Sequence, residues 1–207
     1  MARMTVEQRR AALVDAAYEV IGQHGVEGAT TRKVCAQAQM PLASFHYAFE
    51  SRMALLAAVI DQAVPRDLVV MIAEIRDDIP PAGLAGIERE VHDTLNNLCA
   101  LMIQDASRLQ AVASLAIYAH NHPELRAAGR EMYTRATHTV AQTLHAAAEK
   151  QGTSWSIDVE ELGTLLISAT DAIKMAYLTT GDEGITRQVV DGAVRWMMTY
   201  AVEGDGT

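Results

Sequence analysis

The sequence predicts an all-α protein of about nine helices. Alternating runs of β-branched residues are nearly absent, whereas Ala, Leu, Met, Glu, Gln and Arg recur at helical spacing along most of the 207 residues. Between these stretches lie short clusters of Gly, Pro, Asn, Asp, Ser and Thr, which are turn chemistry.

The first helix is expected over about 5–24, with Thr5 as N-cap and Gln8 three residues on in a capping-box pattern. Leu13, Ala17, Val20 and Ile21 make its apolar stripe. Gly25 and Gly28 stop it, and Thr30 or Thr31 caps a second, short helix over Thr31–Ala38. Met40-Pro41 marks a tight turn, because the residue before a proline is pushed out of the α region. A third helix over about 42–48 then presents Leu42, Ser44, His46 and Tyr47 outward if Phe45 and Phe49 turn to the core.

A fourth helix is expected from Ser51 past Pro65, where a kink or interruption is anticipated, to about Asp77. After the break at Pro80, Pro81 and Gly83, further helices are placed at about 84–104, 107–120, 123–150, 158–180 and 185–202, with a frayed tail. Two domains follow: residues 1–50 as a three-helix head and 51–207 as a larger helical body.

Half the residues are apolar, enough for a sizeable core. The apolar stretches are too short to cross a bilayer, and the start lacks the apolar run of a secretion signal, so a cytoplasmic protein is expected. Cys35 and Cys99, far apart and without ligand spacing, read as core residues. No GxSxG, HExxH or Gly-rich phosphate loop is present, so no enzyme and no cofactor are expected. His120, His122 and Glu124 invite a metal reading, but Asn121-His122-Pro123 is better explained as a helix boundary with proline in the first turn, and no metal is expected.

The formal charge of −9 is unevenly distributed. Residues 1–60 hold six basic and five acidic side chains, a formal +1, which leaves −10 for the rest. Any phosphate-binding surface therefore belongs at the amino end. Three helices with a tight turn between the second and third have the layout of a helix-turn-helix that lays its third helix in a DNA groove.

The residues themselves carry a more specific signal. His24-Gly25-Val26-Glu27-Gly28-Ala29-Thr30 leads into Thr31-Arg32-Lys33; Ala38-Gln39-Met40 forms the turn; an aromatic-rich third helix ends in Phe49; and Ser51-Arg52-Met53-Ala54-Leu55-Leu56 opens the fourth. Over residues 5–60 this order resembles the TetR family of transcriptional regulators. The resemblance implies a DNA-binding set of Thr31, Arg32, Lys33, Leu42, Ala43, Ser44, His46, Tyr47 and Arg52. Thr31 can offer a hydroxyl and an amide to a phosphate. Arg32 can grip a guanine edge, Leu42 and Ala43 can touch thymine methyls, and Ser44 and Tyr47 can reach a base or phosphate. Arg52 is expected to clamp a phosphate. Three departures stand out: Gln39 replaces the usual turn glycine, Pro41 the usual capping serine, and His46 the usual tyrosine, which would make a phosphate contact stronger on protonation.

For the body, the resemblance implies a cavity for a small, mainly apolar effector and a dimer formed by the last two long helices. His92, Asn96, Met102, Tyr118, His138, Gln142, Asp171 and Met175 are the candidate effector contacts, being polar or soft side chains set among apolar neighbours, with Lys174 beside Asp171 as a helix ion pair. Stripes from Leu162 to Tyr177 and from Val189 to Tyr200, with Gly163 and Gly192 permitting close approach, supply the dimer faces. The resulting expectation is a homodimeric repressor on a palindromic, double-stranded operator, released by an effector. A ligand-independent or architectural DNA binder is the alternative.

Overall fold

The computed structural model describes residues 4–73, 82–104 and 106–204, and their architecture is all-α with one small β element. In order they form α1 (Val6–Gly28), α2 (Thr31–Gln37), α3 (Leu42–Ala48), α4 (Arg52–Ala73), α5 (Leu84–Gln104), α6 (Ala106–Asn121), α7 (Pro123–Gln151), β1 (Thr153–Trp155), α8 (Val159–Thr180), α9 (Glu183–Met198) and β2 (Ala201–Glu203). The expected end of the fourth helix at Asp77, the Pro80-Pro81 break and the last three residues of the tail lie outside the described residues.

Local chemistry accounts for most boundaries. Thr5 and Gln8 complete the capping box at the start of α1, Thr5 Oγ1 accepting from Gln8 N–H at 3.2 Å and Gln8 Oε1 accepting from Thr5 N–H at 2.9 Å. Gly25, at φ 71°, breaks the helical path, and helical geometry resumes briefly to Gly28. Asp158 and Asp182 cap α8 and α9 through their carboxylates, and Gly181 closes α8 in the left-handed conformation. Pro123 opens α7, as a proline in a first turn should. Helix α4 is continuous through Pro65.

Two compact units emerge from the packing. The first combines 4–64 with 106–133, and the second combines 65–73 and 82–104 with 134–204; the divisions fall within α4 and α7. In the first, Leu13, Ala17 and Ile21 of α1 meet Val34 of α2, Phe45 and Phe49 around α3, Leu55, Leu56 and Val59 of α4, and Ala111 and Leu115 of α6, all buried. Burial of these side chains is the main stabilising contribution, at roughly 1.5–3 kcal/mol for each large one. Helix α6 lies tight on α1: a Cβ at Gly22 would sit 2.6 Å from the Ser107 carbonyl oxygen. In the second unit, α5 packs on α8 and α9, and Ile87, Leu95, Met102, Leu162, Ile173, Val194 and Met197 are buried.

Two expectations are corrected here. The last helix stops at Met198 instead of 202, because Ala201–Glu203 pairs antiparallel with Thr153–Trp155, registering Ser154 against Val202. The linker after α7 is therefore a strand and the carboxy-terminal segment up to Gly204 is tied down, with Gly204 N–H donating to Gly152 O at 3.1 Å. Gly163 was expected at a subunit interface, yet it serves α7 within the chain: a Cβ there would sit 2.7 Å from the Thr137 carbonyl oxygen. Cys35 and Cys99 are buried core residues, and burial pushes both thiols up from their ordinary range, against a backbone hydrogen bond at Phe45 for Cys35 and the charge of Arg187 for Cys99.

Candidate nucleic-acid interface

Helices α2 and α3 are seven residues each, too short to persist alone, so their orientation depends on what holds them. Thr30 caps α2, its Oγ1 accepting from Lys33 N–H at 3.3 Å. Gln37 of α2 donates to Glu19 of α1. Pro41 stands at the N-cap of α3 without a side-chain cap bond, and its carbonyl accepts from Ser44 N–H at 2.8 Å. Phe45 and Phe49 anchor α3 in the core, their rings 5.9 Å apart.

With that face buried, the opposite one is presented. Leu42 is 40% and Tyr47 76% exposed; Ala43 and His46 are exposed and Ser44 is half-buried. On α2, Arg32 and Lys33 are exposed and Thr31 is half-buried in the first turn. Eight of the nine expected DNA contacts thus share the outer surface of α2 and α3. The turn between them carries Gln39 at φ 53°, the positive-φ non-glycine among the described residues. That is the conformation for which the usual glycine is suited.

Arg52 is the ninth. Its guanidinium turns inward: Nε donates to Ala29 O at 2.9 Å, a terminal nitrogen donates to Val26 O, and the other donates to the Tyr118 hydroxyl at 3.1 Å. Arg10, counted in the sequence only as charge, has a similar task. It donates to Ala48 O at 2.6 Å, at the carbonyl end of α3, and lies 4.2 Å over the Phe49 ring. Neither role has a local sequence signal.

Residues 13–59, which run from the core stripe of α1 into α4, match the family described as "Bacterial regulatory proteins, tetR family". A curated relative, the HTH-type nicotine-responsive transcriptional repressor HdnoR of Paenarthrobacter nicotinovorans, is 25% identical over 192 residues, covering 93% of this chain and 95% of its own. Over residues 13–59 the chain carries the amino-terminal domain of the tetR family. Solved structures share the fold. A transcriptional regulator of Rhodococcus sp. Rha1 superposes with TM-score 0.72 at 16% identity, covering 93% of this chain and 97% of that one. The multidrug binding protein EbrR complexed with ethidium gives TM-score 0.64 at 25% identity, covering 89% and 98%. A chain with this domain is a DNA-binding transcriptional regulator.

The expected effector contacts stand in different surroundings. Tyr118 lies in the first unit, bonded to Arg52 and stacked on His122. His138 and Gln142 are exposed and joined, Gln142 Nε2 donating to His138 Nε2 at 3.0 Å while His138 Nδ1 meets Glu160 Oε1 at 2.7 Å. Asp171 is exposed in an ion pair with Lys174 at 2.7 Å, and Met175 is 52% exposed. Met102 is fully packed core. His92 and Asn96 remain half-buried together on α5, 2.9 Å apart, with His92 Nε2 3.7 Å from Asp191 of α9. His122, a discounted metal candidate, has Nδ1 on the Tyr118 carbonyl at 2.8 Å, and the described residues hold no group of three metal-type ligands. Among them, no helix is long and apolar enough to cross a membrane.

Proposed function

We propose that this protein is a homodimeric, cytoplasmic repressor that reads a roughly palindromic operator through α3 and is released by a small, mainly apolar effector. The supporting observation is the exposed face of α3: Leu42, Ala43, His46 and a largely bare Tyr47 ring stand outward on a helix whose other face, Phe45 and Ala48, is buried. An aromatic ring left in water carries a cost that contact with a partner surface removes. Thr31, Arg32 and Lys33 on α2 add phosphate or base contacts, and Ser44 adds another from α3. In this division by role, residues 1–50 read DNA and 51–207 bind effector and partner subunit.

Dimerisation through α8 and α9 is favoured by apolar groups not used inside the chain. Met175 and Ile185 are 52% and 41% exposed, Ala172 is exposed, and Tyr177 and Trp196 are only half-buried. A two-fold dimer places half-sites about one helical turn apart. The effector reading draws on the nicotine response named for HdnoR and the ethidium complex of EbrR, both nitrogen-bearing and largely apolar ring systems. His92 and Asn96 are the retained polar candidates for its recognition.

Selection of bound duplexes from a random-sequence pool tests DNA reading, and adding nicotine or ethidium to the selected complex tests release. A recovered inverted repeat is expected. Absence of any selected sequence at low ionic strength would remove the proposal, whereas selection without release by any compound would leave the ligand-independent alternative. Arg32→Ala should weaken the selected complex about tenfold or more, as loss of a base or phosphate grip would, with helicity and dimer mass unchanged.

A further inference from the structure

We propose that Arg52 and Tyr118 form a positioning latch for the DNA-reading helices, so that Tyr118 acts in DNA recognition and Arg52 is not a phosphate contact. The inference rests on the reading of α3 as the element that meets DNA. Helix α1 breaks at Gly25, and the short path from Val26 to Thr30 then aims α2. Two carbonyls of that path, those of Val26 and Ala29, accept from the single guanidinium of Arg52 at the start of α4. A planar fork of donors holds both at once and leaves another N–H for Tyr118 Oη, 3.1 Å away on α6.

Tyr118 is itself fixed. Its ring stacks on His122 with centroids 3.7 Å apart and planes 13° from parallel, and the His122 Nδ1–H donates to the Tyr118 carbonyl at 2.8 Å. Helix α6 is seated on α1 at its other end, where Gly22 meets Ser107. Both ends of α6 therefore bear on α1 or on the turn that leaves it, and the Tyr118 hydroxyl is the point at which α6 reaches the entry to α2. The three contacts aim the Arg52 guanidinium at acceptors inside the unit. A lysine at this position keeps the charge, but its compact ammonium cannot reproduce the fork.

The test measures affinity for the duplex that the wild-type protein selects from a random pool, and for an unrelated duplex, across a range of salt. Tyr118→Phe removes only the hydroxyl, and Arg52→Lys keeps the charge. The latch predicts that each binds the selected duplex about five- to tenfold more weakly, a hydrogen-bond-sized effect. Binding to the unrelated duplex and the salt slope should stay at wild-type values, and the double variant should be no weaker than Arg52→Lys alone. Wild-type affinity in either variant overturns the latch. So does equal weakening toward both duplexes, which reports general loss of folded protein, or a slope reduced by about 1 in Arg52→Gln, the signature of a lost phosphate contact. If the wild-type protein selects no sequence, it is the reading of α3 that fails.

Discussion

Gln39 occupies the left-handed region at φ 53°, where a side chain costs about 1–2 kcal/mol relative to the usual backbone regions. Glycine removes that strain but loses more freedom on folding, so Gln39→Gly should give a net stabilisation of about 0.5–1 kcal/mol. Thermal unfolding should show a midpoint raised by roughly 1–3 °C. A lower midpoint would mean that the Gln39 side chain contributes more than its backbone costs. This strain was legible in the sequence, because the TetR pattern has glycine there. The long-range bonds of Arg10 and Arg52 were not. Arg10 reaches a carbonyl 38 residues away and Arg52 a hydroxyl 66 residues away, and a long flexible side chain carries no local mark of where it will end. The same holds for Tyr118, half-buried and bonded to Arg52: its aromatic-polar character suits a binding site and a structural contact equally.

At the scale of elements, apolar spacing and capping chemistry placed the helices well. The stripe Leu13, Ala17, Val20 and Ile21 is buried as expected, and α3 spans Leu42–Ala48 as read. Capping is a contact between residues two to four apart, so it survives in the sequence. The β1–β2 pair has no such signature. Three residues at 153–155 become a strand only because three at 201–203 lie alongside them. Close helix approach is likewise a property of pairs. Gly22→Ala would put a methyl group 2.6 Å from the Ser107 carbonyl oxygen, so α1 and α6 must separate, at a cost of about 1–3 kcal/mol. A lowered unfolding midpoint is expected, and an unchanged one would show that α6 yields freely. Gly163→Ala should cost a similar amount against the Thr137 carbonyl, in a different unit, so the two losses should add.

For the molecule as a whole, charge sets how DNA is approached. The amino-terminal 60 residues carry a formal +1 and the remainder −10. With Arg10 and Arg52 bonded to carbonyls of the chain itself, Arg32 and Lys33 carry the exposed charge of α2. Such a protein should hold unrelated duplexes weakly at physiological salt and depend on the α3 face for affinity. Ala172→Glu places a carboxylate on the exposed side of α8. Sedimentation should show it shifted from dimer toward monomer with helicity retained, and an undiminished dimer would place the subunit interface elsewhere. The amino-acid sequence by itself determined the helical class, the order of the first three helices, the outward α3 face and the resemblance of the amino-terminal domain to the TetR family, because these rest on periodicity, capping and turn residues that act within a few positions. Only the tertiary structure decided which arginines bond to distant carbonyls, that α6 packs in one unit with α1, that the carboxy-terminal segment pairs with the linker after α7, and which of the expected effector contacts are buried, paired or exposed. Each of those depends on which distant surfaces meet, and that is settled by packing instead of by any local pattern.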